Sequence, residues 1–191
     1  MKLQRNTSAI SWTLGFLTLI VLILNIPERL DSVLGLWLLF FALTAFALNQ
    51  NVLLVSGEIS PAHMFGIMAF LTLGEGTRTA EAFWAVAAGA LLGGLLQVAR
   101  SDEWLPRRRV TVRSLATVAE TMAQLTLTLL VAGAVYIRMG GRLPLGSMRP
   151  GDAVPLLAFS FIYVLVYLLF FALRVRLEGK VVSEVLRANW V

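Results

Sequence analysis

Residues 80–99 read Ala-Glu-Ala-Phe-Trp-Ala-Val-Ala-Ala-Gly-Ala-Leu-Leu-Gly-Gly-Leu-Leu-Gln-Val-Ala. The stretch is almost wholly apolar, is as long as a bilayer crossing needs, and is dense in Gly and Ala. Lipid tails give helices no hydrophobic reason to associate, so attraction in a membrane comes from close backbone approach at small residues. Ala85, Gly89 and Gly93 recur every four residues and therefore share one helix face. That face, which holds a Gly-x-x-x-Gly pair, is built to be covered by another helix. The reading is an all-α, polytopic transmembrane helix bundle.

The rest of the composition agrees. The chain is 58% hydrophobic and 14% charged, against roughly 45–50% and about 25% for a globular protein. Its 191 residues suit one membrane domain and leave no room for a folded domain outside it. No cysteine is present, which excludes disulfides, thiolate metal sites and Cys nucleophiles. A single histidine, His63, leaves no multi-histidine metal centre, and neither metal nor cofactor is expected. The net charge of +5 does not point to nucleic acid, because the basic residues lie between apolar spans. The first apolar run ends in Asn25-Ile26-Pro27-Glu28-Arg29 without a small-residue cleavage site, so it is a retained helix and not a signal peptide.

Six hydrophobic segments follow, at about 10–26, 33–49, 60–73, 79–99, 114–137 and 153–173. About six spans are therefore expected, the third short or broken. Pro27 and the charged residues after it end the first. The polar stretch 50–60 reads as a loop in which Glu58 is solvated, and Pro61 suits the first turn of the third helix. Gly74-Glu75-Gly76-Thr77 breaks the chain before the fourth. Residues 1–173 form the bundle. Residues 174–191, with Val182, Val185 and Leu186 at helical spacing, read as a cytoplasmic juxtamembrane helix or tail.

Lys and Arg set orientation. With the N-terminus inside, inner segments hold Lys2, Arg5, Arg100, Arg107, Arg108, Arg109, Arg113, Arg174, Arg176, Lys180 and Arg187, which is 11; outer segments hold Arg29, Arg78, Arg138, Arg142 and Arg149, which is 5. The asymmetry places both termini in the cytoplasm and the chain in the cell inner membrane. Trp12, Trp84, Tyr136 and Trp190 fall near span ends, where interfacial aromatics collect. The Arg107-Arg108-Arg109 cluster suits anionic lipid headgroups, at about 1 kcal/mol per basic residue.

Polar residues inside apolar segments are the candidate ligand contacts. Glu120 stands about two turns inside the fifth segment, where an ionisable group costs about 2.5–3.5 kcal/mol at mid-bilayer. Thr117, Thr121, Gln124 and Thr128 share its face or border it. Ser160, Tyr163 and Tyr167 make a second stripe on the sixth segment, and the two stripes are placed to face one another across a polar cavity. Interhelical hydrogen bonding that fixes packing is the favoured account of them. Glu81 meets the positive end of the fourth helix, and His63, near a span end, is an interfacial or pH-sensing candidate.

No HExxH pair, GxSxG elbow or GxxxxGK[ST] loop occurs, and the acidic residues are scattered. The chain is not expected to be an enzyme.

The polar turn with Gly57 and Ser60, Leu73-Gly74, and then Ala87-Ala88-Gly89-Ala90-Leu91-Leu92-Gly93-Gly94 resemble the N-terminal multispan module of bacterial signalling proteins with cytoplasmic HD-GYP or GGDEF domains. Phe161 to Phe170, leading to Leu186-Arg187-Ala188-Asn189-Trp190, is similar to the same modules. The resemblance implies a sensory or anchoring bundle whose ligand is unknown, and it carries over no cyclic-dinucleotide chemistry because those domains are missing here. The ending at Trp190-Val191 reads as an interrupted helix, as expected of a stand-alone relative or a portion of a longer chain. The Gly-rich patterning also resembles the substrate-binding component of energy-coupling-factor vitamin transporters, which implies small-molecule uptake. A structural subunit of a membrane complex is the third expectation. The partners implied are the lipid bilayer, a second copy or partner subunit, and a small ligand.

Overall fold

Each apolar stretch folds as a helix, and the intervening polar residues turn the chain. The computed structural model describes residues 2–27, 30–50, 52–54, 57–76, 78–103 and 111–177. Its elements are α1 (Lys2–Leu24), α2 (Leu30–Leu48), β1 (Val52–Leu54), β2 (Gly57–Ile59), α3 (Ala62–Leu73), α4 (Ala80–Glu103), α5 (Val112–Arg138), a 3-10 turn (Pro150–Asp152) and α6 (Ala153–Leu177). Four helices are long and apolar enough to cross a membrane, over Leu30–Leu48, Ala80–Arg100, Ser114–Arg138 and Pro150–Arg176. The apolar parts of α1 (Ala9–Leu24) and α3 (Ala62–Leu73) are shorter.

Local chemistry sets the ends. Asn25 closes α1 by donating its side-chain Nδ2 to the Val21 carbonyl at 2.8 Å. Thr111 caps α5 by accepting from the Ser114 amide at 3.2 Å, while the Ser114 hydroxyl accepts from the Thr111 amide. Gly76 and Gly140 take positive φ of 60° and 80°, the left-handed region in which a missing Cβ avoids strain. Gly76 lies in a tight turn closed by reciprocal backbone bonds between Glu75 and Arg78, at 2.8 and 2.9 Å.

Helices α4 and α5 form the centre. The pair α2 and α3 packs on α4, and α1 and α6 pack on α5. Consecutive helices run in alternating directions. Ser60, just before α3, donates to the Ala47 carbonyl near the end of α2. The far end of α3 meets the α5–α6 connection, where the Leu145 amide donates to the Leu71 carbonyl at 2.8 Å. The third segment thus passes from one end of the bundle to the other and does not return to its starting side. The beginning of α1 and the end of α6 lie at one end of the bundle, which we call the terminal end.

Ala85, Gly89 and Gly93 face α2. A Cβ on Gly89 would stand 2.6 Å from the Phe41 carbonyl oxygen, and one on Gly93 2.7 Å from that of Ala45. Asn49 adds a side-chain bond to the Gly93 carbonyl at 3.2 Å. Gly94 makes the matching approach to Val118 of α5. Farther along, Phe70, Phe83, Tyr136 and Phe159 stack or meet edge to face in a buried aromatic block, with centroids 5.2–6.3 Å apart. The outward face is apolar too: Leu157 and Phe161 of α6 are 71% and 69% exposed, in line with Val164 and Leu168 at helical spacing. An unbroken apolar stripe on the outside suits lipid, not water.

Several sequence expectations are corrected. Val52–Leu54 and Gly57–Ile59 are not open loop but two short antiparallel strands that pair Leu53 with Glu58. The two strands satisfy each other's backbone groups between the ends of α2 and α3. Helix α6 continues through Arg174 and Arg176 to Leu177, because no Gly or Pro interrupts it. The rest of the expected tail, with Val182, Val185, Leu186 and Trp190, lies outside the described residues, as does the Arg107-Arg108-Arg109 cluster. Tyr136, near the end of α5, is fully buried within the bundle and donates its hydroxyl to the Arg142 carbonyl of the connection at 2.9 Å.

Candidate functional site

The expected polar cavity between the α5 and α6 stripes does not form, because the two stripes turn to different partners. On α6, Ser160 is exposed, while Tyr163 and Tyr167 face His63 of α3. His63 Nδ1 lies 2.8 Å from Tyr163 Oη, and the imidazole stands edge-on to both rings, 5.9 Å from Tyr163 and 4.8 Å from Tyr167. The helical spacing of Tyr163 and Tyr167 puts them one turn apart on one face. His63 sits in the first turn of α3, just after the Pro61 that precedes the helix. The next ring along α6, Phe159, is 6.0 Å from Tyr163 and 5.2 Å from Phe70, so the cluster is continuous with the buried aromatic block.

Depth follows from helix rise. Tyr163 lies ten residues into α6, or about 15 Å, and Tyr167 lies seven residues before Arg174, or about 10 Å. From Asp152 to Arg174 the chain advances about 33 Å, close to the thickness of a hydrocarbon core. The His63–Tyr163–Tyr167 cluster therefore falls within the apolar zone. Tyr163 is 6% exposed; His63 and Tyr167 are half-buried.

Glu120 belongs to a different joint. It accepts from Ser11 Oγ of α1 at 2.8 Å and lies 3.9 Å from Arg174 Nε of α6. Three helices meet there, at the terminal end. Glu120 is not at mid-bilayer as its sequence position implies: α5 has 27 residues and is about 40 Å long, so its first two turns reach the membrane edge. The ion pair is loose and partly exposed, and such pairs contribute at most about 1 kcal/mol. Gln124 is half-buried and makes no hydrogen bond among the described residues. Thr121 bonds the carbonyl of Thr117 in its own helix at 3.0 Å. The hydroxyls of Thr126 and Thr128 are buried without partners.

The opposite end carries the clearest ion pair. Arg142 grips Asp152 with two nitrogens, Nε at 2.9 Å and Nη2 closer. The Arg149 amide donates to the same carboxylate at 2.8 Å. The hydrogen bond from Arg142 to Asp152 raises the guanidinium pKa still further. Glu81 is buried in the first turn of α4 and lines a cavity of about 20 Å³ with Ser32, Val33, Leu73, Glu75 and Arg78. That volume holds about one water, whereas small-molecule pockets run to about 300–1,000 Å³.

No family model, no curated protein and no solved structure matches this chain. The site is therefore read from its own geometry. Of the six expected ligand contacts, His63, Tyr163 and Tyr167 come together; Glu120, Gln124 and Glu81 do not join them. Ser11, Arg174, Arg142 and Asp152 were not singled out by the sequence as joints. Their partners are ten to more than a hundred residues away, and nothing in the spacing marks them. Asp152 alone carried a signal, as an acidic residue just before an apolar helix.

Proposed function

We propose that the chain is a non-enzymatic integral membrane module of sensory or anchoring type, of the kind found in bacterial signalling proteins. The observation that carries this reading is the use made of the polar groups within the bundle. They join helix to helix, α3 to α6 at His63 and α1 to α5 and α6 at Glu120. A shift of one helix is then transmitted to the next. In the same reading the terminal end faces the cytoplasm of an inner-membrane protein, as the excess of Lys and Arg there favours. Transport of a vitamin-sized solute finds no support at Glu81, whose cavity among the described residues is more than tenfold too small. A partner subunit held on the Gly89–Gly93 face is disfavoured as well, because α2 occupies it.

The test fuses a reporter output domain to the C-terminus and measures output in cells. Glu120→Gln and Gly89→Leu are expected to change the output at equal membrane abundance. Unchanged output from both, and from Tyr163→Phe, overturns the sensory reading and leaves a passive anchor.

A further inference from the structure

The hydrogen-bond balance of the His63 cluster is incomplete in one direction. Tyr163 Oη is buried, and His63 Nδ1 is its one hydrogen-bond partner among the described residues. If Nδ1–H donated to it, the phenol proton would be left inside the bundle without an acceptor, which is costly. The arrangement that satisfies both has the Tyr163 hydroxyl donating to Nδ1. A neutral imidazole carries one proton, which then sits on Nε2. Neither His63 Nε2 nor the Tyr167 hydroxyl has a hydrogen-bond partner among the described residues. Both residues are half-buried, unlike the fully enclosed, unpartnered Trp37 Nε1, Thr44, Thr126 and Thr128. Their rings are neighbours, and Met64 beside them is 67% exposed on the outward face of α3. Two hydrogen-bond donors therefore stand at the outer side of the α3–α6 seam without an acceptor among the described residues.

We propose that His63 and Tyr167 form a site, open sideways to the lipid between α3 and α6, for a membrane-soluble ligand that presents a hydrogen-bond-accepting carbonyl oxygen. Two sources share this chemistry, a quinone ring and the ester carbonyl of a glycerolipid. Both reach the site through the bilayer, so no water-filled pocket is required. The two tyrosine rings and the imidazole supply apolar walls, and the paired donors supply orientation. The site rests on the module reading above, to which it adds the chemical class of the input.

The single histidine makes the test direct, because ¹⁵N-histidine labelling of the full chain gives one imidazole. The protein is placed in alkyl maltoside micelles, which contain no carbonyl. Ubiquinone-1 is titrated in one arm and a short-chain diacylglycerol in the other, with p-diisopropylbenzene as a carbonyl-free control. A saturable shift, larger at Nε2 than at Nδ1, is expected with a carbonyl ligand, and the tighter arm identifies the source. Tyr167→Phe, which keeps the ring and the fold, is expected to weaken binding about tenfold, the worth of one hydrogen bond. The proposal is overturned if neither carbonyl ligand saturates, if the control shifts Nε2 equally, or if Tyr167→Phe binds as the parent does. Loss of binding alongside a reporter still altered by Glu120→Gln and Gly89→Leu sinks this site alone. Intact binding with a reporter unmoved by ligand or substitution sustains the site and sinks the sensory reading.

Discussion

Tyr163 and Tyr167 are the same residue type one turn apart, yet the structure gives their hydroxyls unequal work. Tyr163 Oη is buried against His63, whereas the Tyr167 hydroxyl has no hydrogen-bond partner among the described residues. Tyr163→Phe removes one partner of a buried pair and strands Nδ1, so it is expected to destabilise by about 1–2 kcal/mol. Tyr167→Phe removes nothing that is paired and is expected to stay within about 0.5 kcal/mol of the parent. Reversible unfolding in mixed micelles, followed by circular dichroism, measures both. Equal effects would show that Tyr163 and His63 are not coupled. At Glu120 the expectation is smaller. Ser11→Ala leaves the carboxylate access to Arg174 and solvent, and a loss of about 0.6 kcal/mol, typical of hydrogen bonds between membrane helices, is expected in the same assay.

At the scale of elements, the glycines of α4 divide into those under contact and those that are not. Gly89 and Gly93 abut backbone oxygens of α2 at 2.6 and 2.7 Å from an added Cβ. Backbone cannot rotate away as a side chain can, so the whole of α2 must move. Gly89→Leu and Gly93→Val are each expected to cost at least about 2 kcal/mol, toward the upper end of overpacking penalties. Gly35 of α2 has nothing within 4 Å of its added Cβ, and Gly35→Ala is expected to be neutral or stabilising by up to about 1 kcal/mol. The contrast separates contact from helix propensity, because all three positions lie inside helices. This face was legible in the sequence because small residues at spacing four have one physical use in lipid. The helix ends were legible for a similar reason: Pro27 and Gly74 cannot continue a helix, or do so at a cost. The partners of polar groups were not. His63 and Tyr163 are 100 residues apart and Ser11 and Glu120 109, and periodicity within one helix says nothing about which neighbour its polar stripe will meet. The strand pair Val52–Leu54 and Gly57–Ile59 was hidden for another reason, since a strand of three residues is too short to show alternation.

At the scale of the whole molecule, the two ends of the bundle differ in construction. At the end opposite the termini, the α5–α6 connection is stapled to α3 by the Leu145 amide donating to Leu71 and to the following turn by the Leu143 carbonyl accepting from Gly76, and it is closed by Arg142 on Asp152. At the terminal end lie the strand pair, the long first turns of α5 and the loose pair of Glu120 with Arg174. The charge count of 11 against 5 predicts a cytoplasmic terminal end, since Lys and Arg resist translocation. Because the chain contains no cysteine, this orientation is measurable without background. Ser147, exposed in the α5–α6 connection, and Val112, 68% exposed at the start of α5, mark the two ends. Ser147→Cys is expected to react with a membrane-impermeant maleimide on intact cells, and Val112→Cys only after permeabilisation. The reverse pattern would mean that the basic end is translocated, and would move the reporter junction of the proposed sensor outside the cell. Labelling of both cysteines on intact cells would mean that α5 does not cross the membrane, and with it the alternating order of the helices would fall.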